Sequence, residues 1–185
     1  MIDNYLNSAV KQFEYYKILG EKTINQLNVE DLFWQFNNDS NSIAIIVNHL
    51  WGNMLSRWTN FLTEDGEKDW RKRDLEFENI IKTKDNLLQK WNEGWSCLFN
   101  ALQSINAENF HQKITIRNQE HTITEAINRQ MMHYAYHIGQ IVFLGKQIKG
   151  ENWQTLSIAK GKSAAFNAAK MNKGKHQGHF TDDIK

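Results

Sequence analysis

The chain contains no proline. That absence removes the strongest helix breaker and leaves Gly, Asn and Asp to mark the turns. It holds a single cysteine, Cys97, so no intrachain disulfide can form and a reducing compartment suits it. No apolar run approaches the roughly 20 residues that cross a bilayer; the longest clean one is Ile43 to Val47. Nor is there a charge imbalance. Lys+Arg number 22 and Asp+Glu 21, a formal net charge of +1, which gives no electrostatic reason to bind nucleic acid or an anionic membrane. The opening residues, Met1 to Leu6, lack a basic segment followed by an apolar run, so no signal peptide is expected and a cytoplasmic location is.

What is present is helical periodicity. The 185 residues suffice for one domain with a core of its own. Seven Trp and ten Phe suit thick helix–helix packing, because each buried aromatic removes much apolar surface from water. Leu6, Ala9, Phe13, Tyr16, Ile24 and Leu27 mark a helix over about 3–27. Ile43, Val47, Leu50, Met54, Trp58 and Phe61 mark a second over about 42–63, with Ser42 among the N-cap candidates. Leu88, Trp91, Trp95, Leu98, Leu102 and Ile105 form the cleanest stripe, over about 83–106. Thr122 and Glu125 read as a capping box opening a fourth helix, which runs to about 149 and stops at Gly150. Ile114 and Ile116 alternate with polar residues ahead of Asn118, predicting a short hairpin over 113–121. The densely charged segment 64–79 reads as a loop. The fold class is therefore all-α, a four-helix bundle, with one domain over 1–172 and a flexible tail over 173–185.

Chemistry concentrates on three histidines. His133 and His137 are four apart on the fourth helix, which places both imidazoles on one face. Such a pair alone more often lies on a polar face. Here the surroundings are apolar: Met131, Met132, Tyr134, Tyr136, Ile138 and Ile141. His49 lies likewise among Ile46, Val47, Leu50 and Trp51. Three imidazoles in apolar helix centres are costly to bury without partners, and one metal ion would partner all three. Gly52 and Gly139, each within a turn of a histidine, leave room for a substrate or a close helix approach; the plainer reading of either is packing.

Other motifs fall away. A zincin needs Glu directly after the first His of the pair, and position 134 is Tyr. Gly161-Lys162-Ser163 imitates the end of a phosphate-binding loop, but position 156 is Leu and no strand precedes it. Cys97 sits in the Trp-rich third helix and reads as a core residue.

Asn48-His49 in the second helix and His133-Tyr134-Ala135-Tyr136-His137-Ile138-Gly139-Gln140 in the fourth resemble the DinB family of four-helix-bundle metalloproteins, over roughly residues 1–150. Ser56-Arg57-Trp58, Asp65-Gly66-Glu67-Lys68, Arg71 to Asp74 and Glu76-Phe77 are similar to a DinB subfamily of unassigned function. Its tail usually carries a Leu-Ser-Ile-Pro-Arg-Gly-like stretch, where this chain has Leu156-Ser157-Ile158-Ala159-Lys160-Gly161. The resemblance implies a bundle with a long crossover, His49, His133 and His137 as metal ligands, a homodimer, and a small-molecule substrate. It also implies kinship with transferases and isomerases that use low-molecular-weight thiols.

Three imidazoles leave a divalent ion with at least one open position, and Zn, Ni and Fe all suit such a site. The first expectation is a thiol-dependent transferase that activates a low-molecular-weight thiol as thiolate. The second is a hydrolase using a metal-bound water. The third is a non-enzymatic, stress-associated dimer in which the metal staples the bundle. No acidic residue shares the His faces, which tilts the reading toward the transferase. Asn53, Arg57 and Gln140 are the candidate catalytic residues; their plainer role is solvation or capping. Asp74 or Glu76 could orient a ligand histidine, and Arg71 and Arg73 could clamp an anion; their plainer role is a solvated loop.

Overall fold

The computed structural model describes residues 2–182. Four long helices carry the architecture: α1 (Ile2–Gln26), α2 (Ile43–Trp58), α3 (Lys84–Gln103) and α4 (Ile123–Lys149). A two-stranded antiparallel hairpin, β1 (Lys113–Ile116) and β2 (Gln119–Thr122), leads directly into α4. A short α5 (Ser163–Met171) follows, where the sequence suggests irregular chain. No helix among the described residues is long and apolar enough to cross a membrane.

Local chemistry sets the helix ends. The Ser42 hydroxyl accepts from the Ile45 amide at 3.2 Å and opens α2. Thr122 and Glu125 form the expected capping box on α4, satisfying two otherwise orphaned amides. The helix α2 stops at Trp58, five residues earlier than its apolar stripe suggests. Asn60 takes a left-handed φ of 48°, and the Thr63 and Glu64 amides turn back onto its carbonyl. Phe61 stays buried, so the apolar spacing reports burial beyond the end of the helix.

Helix α2 packs on α3, α1 packs on α4, and α2 meets α4 at the histidines. Phe13, Trp91, Trp95 and Tyr134 interlock at the centre as tilted and edge-on aromatic pairs. At the start of α3 it is Leu87 that is fully buried, with Leu88 only half-buried. Of the residues expected to pack behind α4, Trp153 comes close to Gly145, whereas Ile158 and Phe166 are exposed. His179 contacts Ser8 at 3.0 Å and Phe180 lies edge-on to Tyr15, which sets this segment against α1. Residues 183–185 of the expected tail lie outside the described residues.

The charged segment between α2 and α3 is docked rather than solvated. The Asp65 carboxylate accepts from the backbone amides of Glu67, Arg117 and Asn118 at 2.7–2.8 Å. Burial raises its pKa, but these three donors outweigh that and hold it down at about 2. Arg117 and Asn118 both have positive φ, as a two-residue hairpin turn requires, so Asp65 fastens the loop to the tip of the hairpin. The Gly66 amide adds a 2.8 Å bond to the Thr115 carbonyl. Farther on, Lys68, Arg71 and Glu76 are all buried, and Asp74–Phe77 forms a 3-10 turn against α2.

Candidate metal centre

The three histidines converge. His133 Nε2 stands 3.2 Å from His49 Nε2 and 3.1 Å from His137 Nε2. All three nitrogens lie within 4.8 Å of one another. His133 and His137 share one face of α4, as their spacing predicts, and His49, which no spacing could place, meets them from the facing middle of α2.

Each ring beyond His133 is fixed from behind. His49 Nδ1 is 2.8 Å from Glu76 Oε2, and His137 Nδ1 is 2.8 Å from Gln140 Oε1. Both partners are oxygen acceptors, so both Nδ1 atoms carry the proton and both Nε2 atoms present a bare lone pair to the centre. His133 Nε2 has at most one hydrogen to offer two such lone pairs. A shared cation resolves the conflict. Nitrogens about 2.05 Å from a tetrahedral ion stand roughly 3.3 Å apart, close to the two separations that His133 makes. The donor set therefore fits one divalent ion and can hold it.

The electrostatics favour ligation. Burial drives the His133 pKa to about 3, helped by His137, His49, Arg57 and Arg71. Burial takes His137 to about 4 against the opposing bond from Gln140. Both rings are neutral at physiological pH, the form that binds metal. Glu76 reverses the usual burial effect. Desolvation raises its pKa, but bonds from His49 and Arg71 together bring it below the ordinary value. Arg71 grips that carboxylate with two contacts, Nε to Oε1 at 2.7 Å and Nη2 to Oε2 at 2.9 Å. The Asn48 amide nitrogen donates to the Glu76 carbonyl at 2.9 Å, and the Phe77 ring stacks on His49 with centroids 4.7 Å apart. Of the two loop acids expected to be able to orient a ligand histidine, Glu76 reaches His49, from the loop and not from a helix face, whereas Asp74 is exposed.

Gly52 explains this close approach. A Cβ there would stand 2.8 Å from Glu76 Cδ, so the carboxylate occupies the space of the absent side chain. At Gly139 no such neighbour exists within 4 Å.

The histidines open onto a cleft of about 340 Å³, at the small end for ligand sites. Asn53 and Arg57 both line it. Asn53 is engaged on its other side, where its Oδ1 accepts from Tyr134, whose hydroxyl in turn accepts from Trp58, each at 3.1 Å. Arg57 donates to the Gly66 carbonyl and to Glu67. Gln140 does not line the cleft; it stands behind His137 and acts through it. Sequence reasoning missed four lining residues: Phe77, Arg117, Arg129 and Gln130. Gln130 precedes His133 by three and His137 by seven, so the helical period already placed it on their face. Arg117 gave no such signal, since it comes from the hairpin turn. Cys97 is half-buried beside α2, and burial pushes its thiol up, consistent with a packing role.

No curated protein and no solved structure matches the chain. One family profile, described as "Protein of unknown function (DUF1572)", matches residues 1–162, most of the helical domain and both histidine-bearing helices. The chain belongs to the DUF1572 family.

Proposed function

We propose that this protein is a DinB-like, metal-dependent enzyme whose single divalent ion is held by His49, His133 and His137. The observation that carries this reading is the convergence of three Nε2 atoms, two of them with the opposite nitrogen anchored to an oxygen acceptor. Zn or Ni suits the imidazole set best, with Fe next. Bound there, such an ion supplies Lewis acidity that makes a thiol or a water nucleophilic near neutral pH. The open cleft favours an enzyme over a structural staple, because a staple needs no approach from solvent.

Between the two chemistries, the lining favours the thiol-dependent transferase. Among the described residues no carboxylate lines the cleft, and Glu76 is committed to His49 and Arg71, so none of them is free there to act as a general base on water. A low-molecular-weight thiol fits a small cleft and needs only deprotonation. The chain acts in the cytoplasm, where Cys97 stays reduced. It works as a homodimer through the outward face of α4, where Met132, Tyr136 and Phe143 are more than half exposed.

The test replaces the ion with Co(II) and titrates 2-mercaptoethanol. The expected result is a saturable near-ultraviolet sulfur-to-cobalt charge-transfer band that His133→Ala abolishes. Absence of the band, together with ester hydrolysis by the same loaded protein, would replace the transferase with the hydrolase.

A further inference from the structure

The cleft beside the histidines is lined by five arginines, Arg57, Arg71, Arg73, Arg117 and Arg129, and by no acid among the described residues. They come from α2, the docked loop, the hairpin turn and α4, so the fold gathers them from four places. Their acidic partners are few. Glu67 Oε2 is shared by Arg117 at 2.9 Å, Arg57 at 3.3 Å and Arg71 at 3.6 Å. Glu76 serves Arg71 and also His49. Arg73 reaches the exposed Asp74 only at 4.0 Å. Arg129 donates to the ring of His121, which brings no negative charge. Positive charge is therefore in excess even before a divalent ion is added.

Two of the five are buried without full satisfaction. Arg57 is 6% and Arg71 8% exposed, yet among the described residues Arg57 Nε has no hydrogen-bond acceptor and Arg71 Nη1 has only the longer 3.6 Å ion pair with Glu67. Gln130, 3% exposed on the same wall, keeps an unpartnered Oε1. Buried donors left without a hydrogen bond are expensive, and a cleft that concentrates them suits a ligand that accepts from them. Burial first, and then the neighbouring Arg71, push the Arg57 pKa down against the opposing effect of Glu67.

We propose that this arginine wall binds the anionic head, a carboxylate or a phosphate, of the molecule that reacts at the histidine centre. Guanidinium groups match both heads through paired N–H donors. The position of the head relative to the reacting atom rests on the metal reading above; the anion site itself does not. Arg71 links the two regions, since the guanidinium that lines the cleft also holds the carboxylate that orients His49. Gln130 Oε1 then accepts from a hydroxyl or amine on the same substrate.

The experiment is calorimetric titration of the full chain, zinc-loaded and metal-free, with inorganic phosphate and separately with succinate. Arg129→Gln and Arg117→Gln are the variants, both exposed positions at the rim, and the distant exposed Lys146→Gln is the control. We expect saturable binding of one anion per chain in both metal states, weakening as salt rises. Either rim variant should lose about tenfold in affinity, the equivalent of one charge-assisted contact, and Lys146→Gln should lose nothing. Tighter phosphate binding assigns a phosphate ester; tighter succinate binding assigns a carboxylate. Failure to bind either anion, or equal binding by the rim variants, overturns the proposal. A protein that retains zinc through its histidines but shows no arginine-dependent binding refutes the anion site alone. Arginine-dependent binding in a protein that never retains zinc refutes the metal reading alone.

Discussion

His49 Nδ1 donates to Glu76 Oε2 across 2.8 Å, joining the middle of α2 to a loop residue 27 positions later. This bond fixes the tautomer that leaves His49 Nε2 free, and it takes up one oxygen of a carboxylate that Arg71 already holds. Replacing Glu76 with Gln removes the charge and leaves buried Arg71 with only the 3.6 Å ion pair to Glu67. Zinc affinity, measured by competition with a chromogenic chelator, should fall by about 10–100-fold, the usual effect of losing a residue that orients a ligand. Unchanged affinity would show that the Glu76 contact does not support the site.

Gly52 offers a test that substitutes neither ligand nor carboxylate. An added Cβ would press on the Glu76 side chain, which cannot swing aside without leaving Arg71 or His49. Gly52→Ala should therefore weaken zinc binding, although the same change in an unencumbered helix favours stability by about 1 kcal/mol. Gly139→Ala, where no neighbour lies within 4 Å, should leave zinc affinity intact. Equal behaviour of the two variants in the chelator competition would remove the packing argument.

The pattern of what sequence could and could not reveal follows from range. His133 and His137 are legible because helical geometry fixes residues four apart, and the Thr122–Glu125 capping box is legible for the same reason. The α3 stripe marks the core correctly but cannot separate Leu87 from Leu88, which are adjacent and equally apolar. The Glu76–His49 bond lies beyond any periodicity. It depends on Asp65 docking the loop to the hairpin tip, and on Asn48 anchoring the Glu76 carbonyl. The same docking turned a segment that looked solvated into the wall of the cleft, with Arg71 buried and Arg117 brought in from the hairpin.

The depressed histidine pKa values predict an acid-labile metal-free protein. His133 near 3 and His137 near 4 lie below the 6.5 of a free imidazole. Between about pH 3 and 6.5 the unfolded chain binds more protons at these rings than the native one, so their contribution to stability is full above this window and falls as pH drops through it. Thermal melts of metal-free protein from about pH 7 to 4.5 should show a falling midpoint. His133→Gln, which has no ring to protonate, should show a shallower fall. Parallel slopes for the two proteins would contradict the assignment.

The outward face of α4 presents Met132, Tyr136 and Phe143 at spacings of four and seven, with the open Gly139 between them. A second copy would cover this stripe. Sedimentation at tens of micromolar, an order-of-magnitude choice, should show a dimer for the wild type. Tyr136→Glu should shift it toward monomer by placing an unpaired charge in the contact. A monomeric wild type would exclude this interface.

Metal content measures the central claim most directly. Wild type, His49→Ala, His133→Ala and His137→Ala are loaded with zinc, dialysed against metal-free buffer and assayed for bound metal by atomic emission. The account predicts about one ion per chain in the wild type and little in each variant, because a site of three ligands rarely survives on two. Full occupancy in His49→Ala, the ligand drawn from the other helix, would contradict it.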